Sequence, residues 1–407
     1  MLPQNKKSEG LSMYRRQFIT TGLATLGLAG TANAQASAFA SWVAGFRPRA
    51  RAAGISDRAF AAAFDGAQYL PDSINRDRNQ AEFVRPLGEY MATAASDARV
   101  STGRAMMQQY AGLLSRIQAS YGVDAHIVTA IWGMESNYGA RRGDIPLIST
   151  LATLAFDGRR GQFFEQQLVA ALGILQNGDV APRNMTGSWA GAMGHTQFIP
   201  TSYEAYAVDF TGNGRRDIWS DDPSDALAST AAYLRRFGWQ QGQPWGVEVR
   251  LPRGFDFEQT GRAVKRTPAA WTQQGVRGVD GQPVPNYGEA SLITPTGAGG
   301  PAFLVFRNYE VIGRYNNAEA YIIGVGHLGD RIRGMGPFQT AFPAGERGLL
   351  RAERVELQQR LTAAGFSTQG VDGQIGPNSR AAIKAFQRSR GMVPDGYASV
   401  SLLERLR

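Results

Sequence analysis

One acidic residue stands at the end of an apolar helical pattern. On a helix, Glu135 lies one turn after Ile131 and Trp132, on the face that packs inside the protein. Burial disfavours the charged carboxylate, and so does the negative end of the helix dipole if Gly139 caps the helix. Both effects raise the pKa, and a carboxyl group that is protonated near neutral pH can act as a general acid. The alternative is a boundary carboxylate that pairs with the arginines at 141–142.

A second candidate feature is the small-residue run at 190–194, Ala-Gly-Ala-Met-Gly. Small residues let the backbone approach a partner closely, and a sugar chain in a cleft is such a partner. Tight packing inside the protein is the alternative.

A third candidate is a loop with the spacing of an EF-hand calcium site. Oxygen-bearing side chains occupy positions 1, 3, 5 and 9, which are Asp209, Thr211, Asn213 and Asp217, and position 6 is a glycine. Position 12 is a serine where a bidentate Glu is expected, and Asp221, Asp222 and Asp225 are the candidates to replace it. A metal-free turn is the alternative.

Composition narrows the classes of protein. The 407 residues are 43% hydrophobic and 19% charged, which excludes a largely disordered chain. The absence of Cys excludes disulfides, thiolate zinc sites and thiol nucleophiles, and the three histidines lack metal-ligand spacing. The net charge of +9 suits an anionic partner such as an acidic cell-wall polymer.

The pattern of apolar residues predicts a mainly α-helical (α+β) chain. Helical periodicity covers 38–135, 162–175, 225–237 and 318–333, and β-rich runs lie at 247–251, 290–293 and 303–306. We therefore expect a helical domain with a small β insertion.

The first 34 residues are typical of a signal peptide. An Arg pair at 15–16 precedes a short apolar run, and Ala32-Asn33-Ala34 fits a cleavage site. The Arg-Arg-x-Phe pattern resembles a bacterial twin-arginine signal, with an ordinary secretory signal as the alternative. We expect a periplasmic protein with no membrane anchor, since no later run is long enough to span a bilayer, and nucleic acid is then a poor partner.

The end of the chain forms a separate small module. Residues 341–348 are predicted to be a linker, and residues 349–407 a three-helix domain with helices at 352–364, after Pro377-Asn378-Ser379 and at 400–406. In this module Asn378 is a candidate cap for the second helix.

Four segments in order resemble the lytic murein transglycosylase B family: 131–139, 151–160, 188–203 and 314–321. The resemblance covers roughly residues 38–340. It implies a lysozyme-like catalytic core, within a catalytic domain at 35–340, that cleaves the β-1,4 bond between N-acetylmuramic acid and N-acetylglucosamine of peptidoglycan and forms 1,6-anhydromuramic ends. No cofactor is then required, and some members of the family carry a structural Ca²⁺ in the region of the candidate loop.

The same resemblance implies roles for individual residues. Glu135 would be the single acid/base. Ser188, Met193 and Gln197 would line the cleft near the scissile bond, and Tyr315, Asn316 and Tyr321 would close it from the other side. Asp225 would complete the calcium loop with Asp209, Thr211 and Asn213. The position of His195 is often Tyr in the family.

The C-terminal module is similar to the three-helix peptidoglycan-binding domain in its segments 357–361, 371–377 and 381–387. Peptidoglycan glycan strands are the implied partner of the whole chain, and no partner among cell-wall synthesis proteins is indicated.

Two other functions stay open at this point. A hydrolytic muramidase needs a second carboxylate, and Asp144, Asp157 and Glu165 follow Glu135 in the sequence. We expect these three acids to be structural, with Asp157 in an ion-pair corner beside Arg159 and Arg160. A non-catalytic wall-binding protein is disfavoured because Glu135 and Gln197 are both present.

Overall fold

The computed structural model describes residues 24–78, 85–344 and 347–407, with side chains from residue 34 onward. The helices are α1 (Ala24–Ala52), α2 (Asp57–Phe64), α3 (Pro71–Arg78), α4 (Leu87–Ala94), α5 (Asp97–Gln109), α6 (Ala111–Tyr121), α7 (Ala125–Ser136), α8 (Leu147–Asp157), α9 (Gly161–Asn177), α10 (Pro200–Tyr206), α11 (Ser224–Arg236), α12 (Pro268–Gln273), α13 (Arg307–Tyr315), α14 (Glu319–Ile332), α15 (Arg351–Ala363), α16 (Pro377–Ser389) and α17 (Val400–Glu404). The mainly helical prediction is confirmed.

The strands are short and antiparallel. They are β1 (Ile145–Pro146), β2 (Thr186–Gly187), β3 (Gly246–Arg250), β4 (Arg277–Gly278), β5 (Ser291–Ile293) and β6 (Ala302–Val305). β1 pairs with β2, and the other four form one sheet in the order β4-β3-β6-β5. In that sheet Val247 faces Leu304, and Leu292 faces the same residue from the other side. This sheet is the predicted β insertion.

The main hydrophobic core surrounds α7. Most apolar residues of this helix are fully buried, among them Val128, Ile131 and Trp132, and the other two, Ala125 and Met134, are partly buried. α7 packs against α5, α6, α11 and α14. Because each of its sides is covered, α7 is held in one position, and so is any side chain at its C-terminal end.

The β insertion has its own small core, centred on the fully buried Trp271. The indole Nε1 of Trp271 donates a 2.9 Å hydrogen bond to the carbonyl of Ala290, which ties α12 to the sheet. The insertion is therefore a folded unit joined to the helical body through β6 and α13.

The C-terminal module folds around a third core that includes Leu357, Ile383 and Phe386. Its second helix begins at Pro377 with Gly376 as the cap residue, so the predicted cap Asn378 is wrong. The amide of Asn378 instead donates to Gln369. Proline fits the first turn because the amide hydrogen it lacks would have no partner there.

The module contacts the β insertion. The Lys384 ammonium donates a 2.7 Å hydrogen bond to the carbonyl of Phe257 and lies 3.2 Å from a carboxylate oxygen of Glu258. The Asp395 carboxylate accepts from the Ala298 amide at 2.9 Å.

The predicted twin-arginine segment at 13–19 lies outside the described residues, as do two residues of the predicted linker, 345–346. Within the described ranges we found no helix with the length and apolar character needed to cross a membrane.

Candidate active site

Glu135 occupies the last turn of α7, where it is half-buried. The helix ends at Ser136 because Asn137 adopts the left-handed conformation, with φ of 50°. Asn is one of the residues that tolerate this conformation. The sequence-based choice of Gly139 as the cap is therefore two residues too late, although Gly139 also has positive φ.

Tyr321 of α14 contacts this carboxyl group directly. Its hydroxyl donates a 2.5 Å hydrogen bond to Oε1 of Glu135, and its side chain is buried. Burial raises the pKa of Glu135 to about 7, and the Tyr321 hydrogen bond lowers the pKa by a smaller amount. Burial raises the pKa of Tyr321 well above its usual value, and so does the Glu135 charge. Tyr321 therefore remains a hydrogen-bond donor when Glu135 is ionised.

Two more tyrosines lie in the electrostatic field of Glu135. Burial raises the pKa of Tyr315 well above its usual value, and the negative charge of Glu135 adds to the shift. The same two causes raise the pKa of Tyr90, which lies on α4. The Tyr315 hydroxyl donates a 2.6 Å hydrogen bond to the carbonyl of Thr196. The structure thus brings Glu135, Tyr315 and Tyr321 together and adds Tyr90, which the sequence analysis missed.

The sequence does not indicate that Tyr90 belongs to the site. Its helix is short, and Tyr90 lies 45 positions before Glu135. Only the packing of α4 against α14 brings it close, through contact with Gly324. A Cβ at Gly324 would lie 3.2 Å from the Tyr90 ring.

Gln197 belongs to a tightly folded loop. Its backbone is left-handed, with φ of 55°, which costs a non-glycine residue about 1 kcal/mol. Its amide nitrogen donates to the carbonyls of Arg142 at 3.0 Å and Gly194 at 2.8 Å. These two hydrogen bonds fix the position of the Gln197 side-chain amide.

Ser188 and Met193 lie on the same loop as Gln197. The Ser188 hydroxyl accepts from the Ala192 amide at 3.1 Å, and Met193 is fully buried with isolated β-bridges to Gly187 and Phe198. Asn316, by contrast, is exposed, and its side-chain oxygen accepts from the Ala318 amide just before α14.

The glycines of the 190–194 run face protein neighbours. A Cβ at Gly194 would lie 2.1 Å from the carbonyl oxygen of Ile218, and one at Gly191 would lie 2.5 Å from Leu151. Close internal packing therefore explains these two glycines, which is the alternative that the sequence analysis left open.

His195 connects α7 to the loop that carries Ser220. The Trp132 indole donates to Nδ1 of His195 at 3.1 Å, and Nε2 lies 2.7 Å from the carbonyl of Ser220. Burial lowers the pKa of His195, which keeps the ring neutral with its hydrogen on Nε2. The carbonyl of His195 also accepts from Ser136 at 2.5 Å.

The arginines at 141–142 do not neutralise Glu135. Arg142 forms its ion pair with Asp221 at 2.6 Å and donates to the Ser220 carbonyl at 2.7 Å. The boundary-carboxylate alternative for Glu135 therefore lacks the partner that it requires.

The predicted ion-pair corner exists with different partners. Asp157 pairs with Arg78, while Arg159 and Arg160 both bind the buried Asp77. Glu165 pairs with Arg49 at 2.8 Å. The prediction that Asp157 binds the arginines that follow it is wrong, because α3 brings Asp77 into that corner.

The candidate calcium loop is organised by hydrogen bonds to its carboxylates. Asp209 accepts from the amides of Gly212 and Gly214, both at 2.7 Å. The buried Asp225 accepts from the amides of Phe210 and Asp217, both at 2.9 Å. Across the described ranges, no three His, Asp or Glu side chains form a group that could hold a metal.

Of the predicted metal ligands, Thr211 and Asn213 contribute local contacts. The Thr211 hydroxyl donates to Asp209 at 3.2 Å, and the Asn213 side-chain oxygen accepts from the Arg215 amide at 2.9 Å. All four predicted ligands carry oxygen, the donor that calcium prefers, but only Asp209 and Asp225 carry charge.

The mainly helical body holds Glu135, whose pKa burial raises to about 7, near Tyr90, Tyr315 and Tyr321. The fold is of the lysozyme-like class. Residues 38–330 match the family described as the transglycosylase SLT domain. This match covers more than half of the chain, and the chain belongs to that family. Residues 351–406 match a putative peptidoglycan binding domain.

One curated relative is similar in sequence to part of the chain. The membrane-bound lytic murein transglycosylase B of Escherichia coli (strain K12) is 35% identical over 241 residues, which are 57% of this chain and 63% of that protein. The chain thus spans less than two thirds of the length of this curated relative.

Solved structures are also similar to this chain in fold and sequence. SltB3 from Pseudomonas aeruginosa, in complex with NAG-anhNAM-pentapeptide, is 49% identical, covers 91% of this chain and 99% of its own, and gives a TM-score of 0.88. The lytic transglycosylase Slt35 of Escherichia coli, in complex with calcium, is 28% identical, covers 73% of this chain and 93% of its own, and gives a TM-score of 0.61.

Proposed function

We propose that this protein is a lytic transglycosylase. It cleaves the β-1,4 bond between N-acetylmuramic acid and N-acetylglucosamine in peptidoglycan and leaves 1,6-anhydromuramic ends. The observation that carries the proposal is the state of Glu135: its pKa is about 7, its hydrogen-bond partner is Tyr321, and no acidic side chain of the described ranges shifts its pKa. A single carboxyl group of this kind can give a proton and take one back.

In the first step, the protonated Glu135 donates its hydrogen to the glycosidic oxygen as the C1–O bond breaks. Positive charge develops on the muramic ring, and Glu135 is left as a carboxylate that Tyr321 stabilises by its hydrogen bond. The leaving sugar departs with a new hydroxyl group.

In the second step, the Glu135 carboxylate removes the proton from the C6 hydroxyl of the same muramic ring. The C6 oxygen then bonds to C1 and closes the 1,6-anhydro ring, which returns Glu135 to its protonated form. Since the attacking hydroxyl belongs to the substrate, its effective concentration is high and no water is consumed.

Other residues are proposed to bind the sugar chain around Glu135. Tyr321 is a buried donor beside it and Tyr315 is a half-buried one. The loop that carries Ser188, Met193 and Gln197 is proposed to supply the other contacts. Asn316 is proposed to contact substrate from the exposed segment before α14.

The domain arrangement fits an insoluble substrate. We assign the catalytic domain to residues 35–340, a linker to 341–348 and a peptidoglycan-binding domain to 349–407. A weak wall-binding domain attached to the enzyme raises the local concentration of glycan strands at the catalytic domain.

An export signal at residues 1–34, of the twin-arginine type, would deliver this enzyme to the periplasm, where peptidoglycan lies. Fractionation of cells that express the full chain, followed by sequencing of the mature N-terminus, tests both the compartment and the cleavage after Ala34.

Calcium is proposed to bind the 209–225 loop weakly. The ion would be held by Asp209, Thr211, Asn213 and Asp225. It would stabilise the loop. With two carboxylates, the affinity belongs to the weakest calcium class, with a Kd of roughly 10⁻⁴–10⁻³ M. We expect the melting temperature to rise in millimolar calcium and to fall back with a chelator. An unchanged melting temperature removes the site.

The activity is tested by incubating purified murein with the full chain and measuring soluble fragments. The wild-type enzyme is expected to release them, and the Glu135→Gln variant is expected to release almost none. Equal release by both proteins would contradict the role of Glu135.

A further inference from the structure

His195 contacts α7 on both sides of Glu135 in the sequence. Its ring nitrogen Nδ1 accepts a 3.1 Å hydrogen bond from the indole of Trp132, which lies one turn before Glu135. Its backbone carbonyl accepts a 2.5 Å hydrogen bond from the hydroxyl of Ser136, which follows Glu135 directly. The last turn of α7 is therefore attached to a distant segment of the chain through one residue.

The opposite edge of the His195 ring is held by the loop that contains Ser220. Nε2 of the ring lies 2.7 Å from the carbonyl of Ser220, and the Arg142 guanidinium donates to the same carbonyl at 2.7 Å. Arg142 also forms an ion pair with Asp221 at 2.6 Å. Because Nε2 uses its hydrogen on Ser220, Nδ1 keeps the lone pair that the Trp132 indole requires.

Close packing fixes the orientation of this ring. His195 is only 3% exposed, and its ring meets the Trp132 ring edge-on, with centroids 5.7 Å apart. A Cβ at Gly139 would lie 2.6 Å from Nδ1, so the backbone after α7 lies directly against the ring. In such a close-packed setting the ring cannot turn to present another atom to Trp132.

Protonation of His195 would break this arrangement. The imidazolium carries hydrogen on both nitrogens, so Nδ1 would become a donor that faces the indole N–H donor. Burial is the largest cause that lowers the pKa of His195, and the Arg142 charge also lowers it, whereas the Ser220 carbonyl, Asp221 and Asp217 raise it. The net result is a pKa below the ordinary value of 6.5.

We propose that His195 is a positioning residue for Glu135, an inference that rests on the proposed function. The neutral ring accepts from Trp132 and fixes the last turn of α7, and the protonated ring releases it. Glu135 must be protonated for the first step, so its own titration reduces activity only on the alkaline side. The loss of activity on the acid side, while the protein is still folded, belongs to His195.

Two variants separate the roles of the two ring nitrogens. In His195→Asn the side-chain oxygen replaces Nδ1 as the acceptor for Trp132, whereas in His195→Gln the amide nitrogen replaces Nε2 as the donor to Ser220. At neutral pH we expect His195→Gln to release murein fragments about 3- to 10-fold more slowly than His195→Asn, the factor that one hydrogen bond supplies. Equal rates for two folded variants would overturn the proposal.

The wild-type protein allows a measurement that needs no turnover and no variant at position 195. With tryptophan labelled by nitrogen-15, the indole N–H of Trp132 is followed by NMR in the full chain, and the Trp132→Phe variant assigns its signal. We expect this signal to shift as the pH falls below 6.5. A signal that stays constant until the protein unfolds in acid would overturn the proposal.

The pH–activity profile connects this titration to catalysis. The acid limb of the wild type should follow the Trp132 signal, and His195→Asn should lack it. His126→Asn is the matched control, because His126 is the other histidine of α7 and burial lowers its pKa too. We expect this control to keep the acid limb.

Two results of the pH–activity comparison would contradict the proposal. An acid limb that persists in His195→Asn would show that His195 does not cause it, and an acid limb that disappears in His126→Asn would assign it to His126. Failure of the proposed function is a separate result, seen as absent murein cleavage by the wild type, and the Trp132 titration is still measurable in that case.

Discussion

The Tyr321 hydroxyl and the Glu135 carboxyl group meet at 2.5 Å although 186 positions separate them in the chain. α7 supplies the acid at its last turn, and α14 supplies the phenol from its first turn. The two helices pack against each other in the main core, so the pair is held by the same contacts that hold the fold.

Replacing Glu135 by Gln should reduce murein cleavage by at least about 100-fold, because general acid–base catalysis typically contributes 10²–10⁴. Release of soluble fragments measures the effect. Glu165→Gln is the matched control, since Glu165 pairs with Arg49 and not with Glu135, and we expect it to retain nearly full activity. A Glu165→Gln enzyme as inactive as Glu135→Gln would show that the loss is not specific to position 135.

The same Glu135→Gln change should stabilise the protein at alkaline pH. The folded-state pKa of about 7 lies above the ordinary value of 4.5, so the wild type loses stability as pH rises between these values. The wild type loses at most about 3 kcal/mol of its free energy of unfolding in this way. The variant does not lose it, because Gln does not ionise. Urea denaturation at pH 5 and pH 8 checks this, and a variant that is no more stable than the wild type at pH 8 would count against a buried, protonated Glu135.

Replacing Tyr321 by Phe removes a hydrogen bond that lowers the pKa of Glu135. The pKa should therefore rise, and the alkaline limb of the pH–activity profile should move to higher pH while kcat falls about 10-fold. Tyr287→Phe, in the β insertion, is the control and should leave the profile in place. If the alkaline limb stays unchanged in Tyr321→Phe, the hydrogen bond does not set the ionisation of Glu135.

His327 should make the protein sensitive to acid. Burial lowers the pKa of this residue to about 4, against an ordinary value of 6.5. Stability is lost as pH falls from the unfolded value towards the folded one, because the unfolded chain binds the proton first. The His327→Phe variant can keep the stacking on Phe338. Between pH 7.5 and pH 4.5 its free energy of unfolding should fall less than that of the wild type, by a difference of up to about 3 kcal/mol. Parallel pH dependence of the two proteins would argue against a buried neutral imidazole.

The sequence predicts local features well where one helix determines them. The position of Glu135 at an apolar helix end and the direction of its pKa shift both follow from the spacing within α7. The β insertion is likewise visible as a change of period. The predicted runs correspond to β3, β5 and β6 within one residue at each end, whereas β4 was not predicted.

Contacts between distant segments are not readable in this way. Asp157 binds Arg78 across 79 positions, not the arginines two and three residues away. Tyr90 lies in the electrostatic field of Glu135 only because α4 packs on α14. Asn378 is not the cap of α16, because it lies beyond Pro377, and proline already begins the helix.

The masses of the murein fragments test the central claim most directly. If Glu135 both gives the proton and takes one from the C6 hydroxyl, each new muramic end is a 1,6-anhydro sugar, one water lighter than a hydrolysed end and without a reducing terminus. Mass spectrometry of a complete digest should show these ends. A digest whose new ends are all hydrated would show that water attacks instead, and the enzyme would then be a hydrolase.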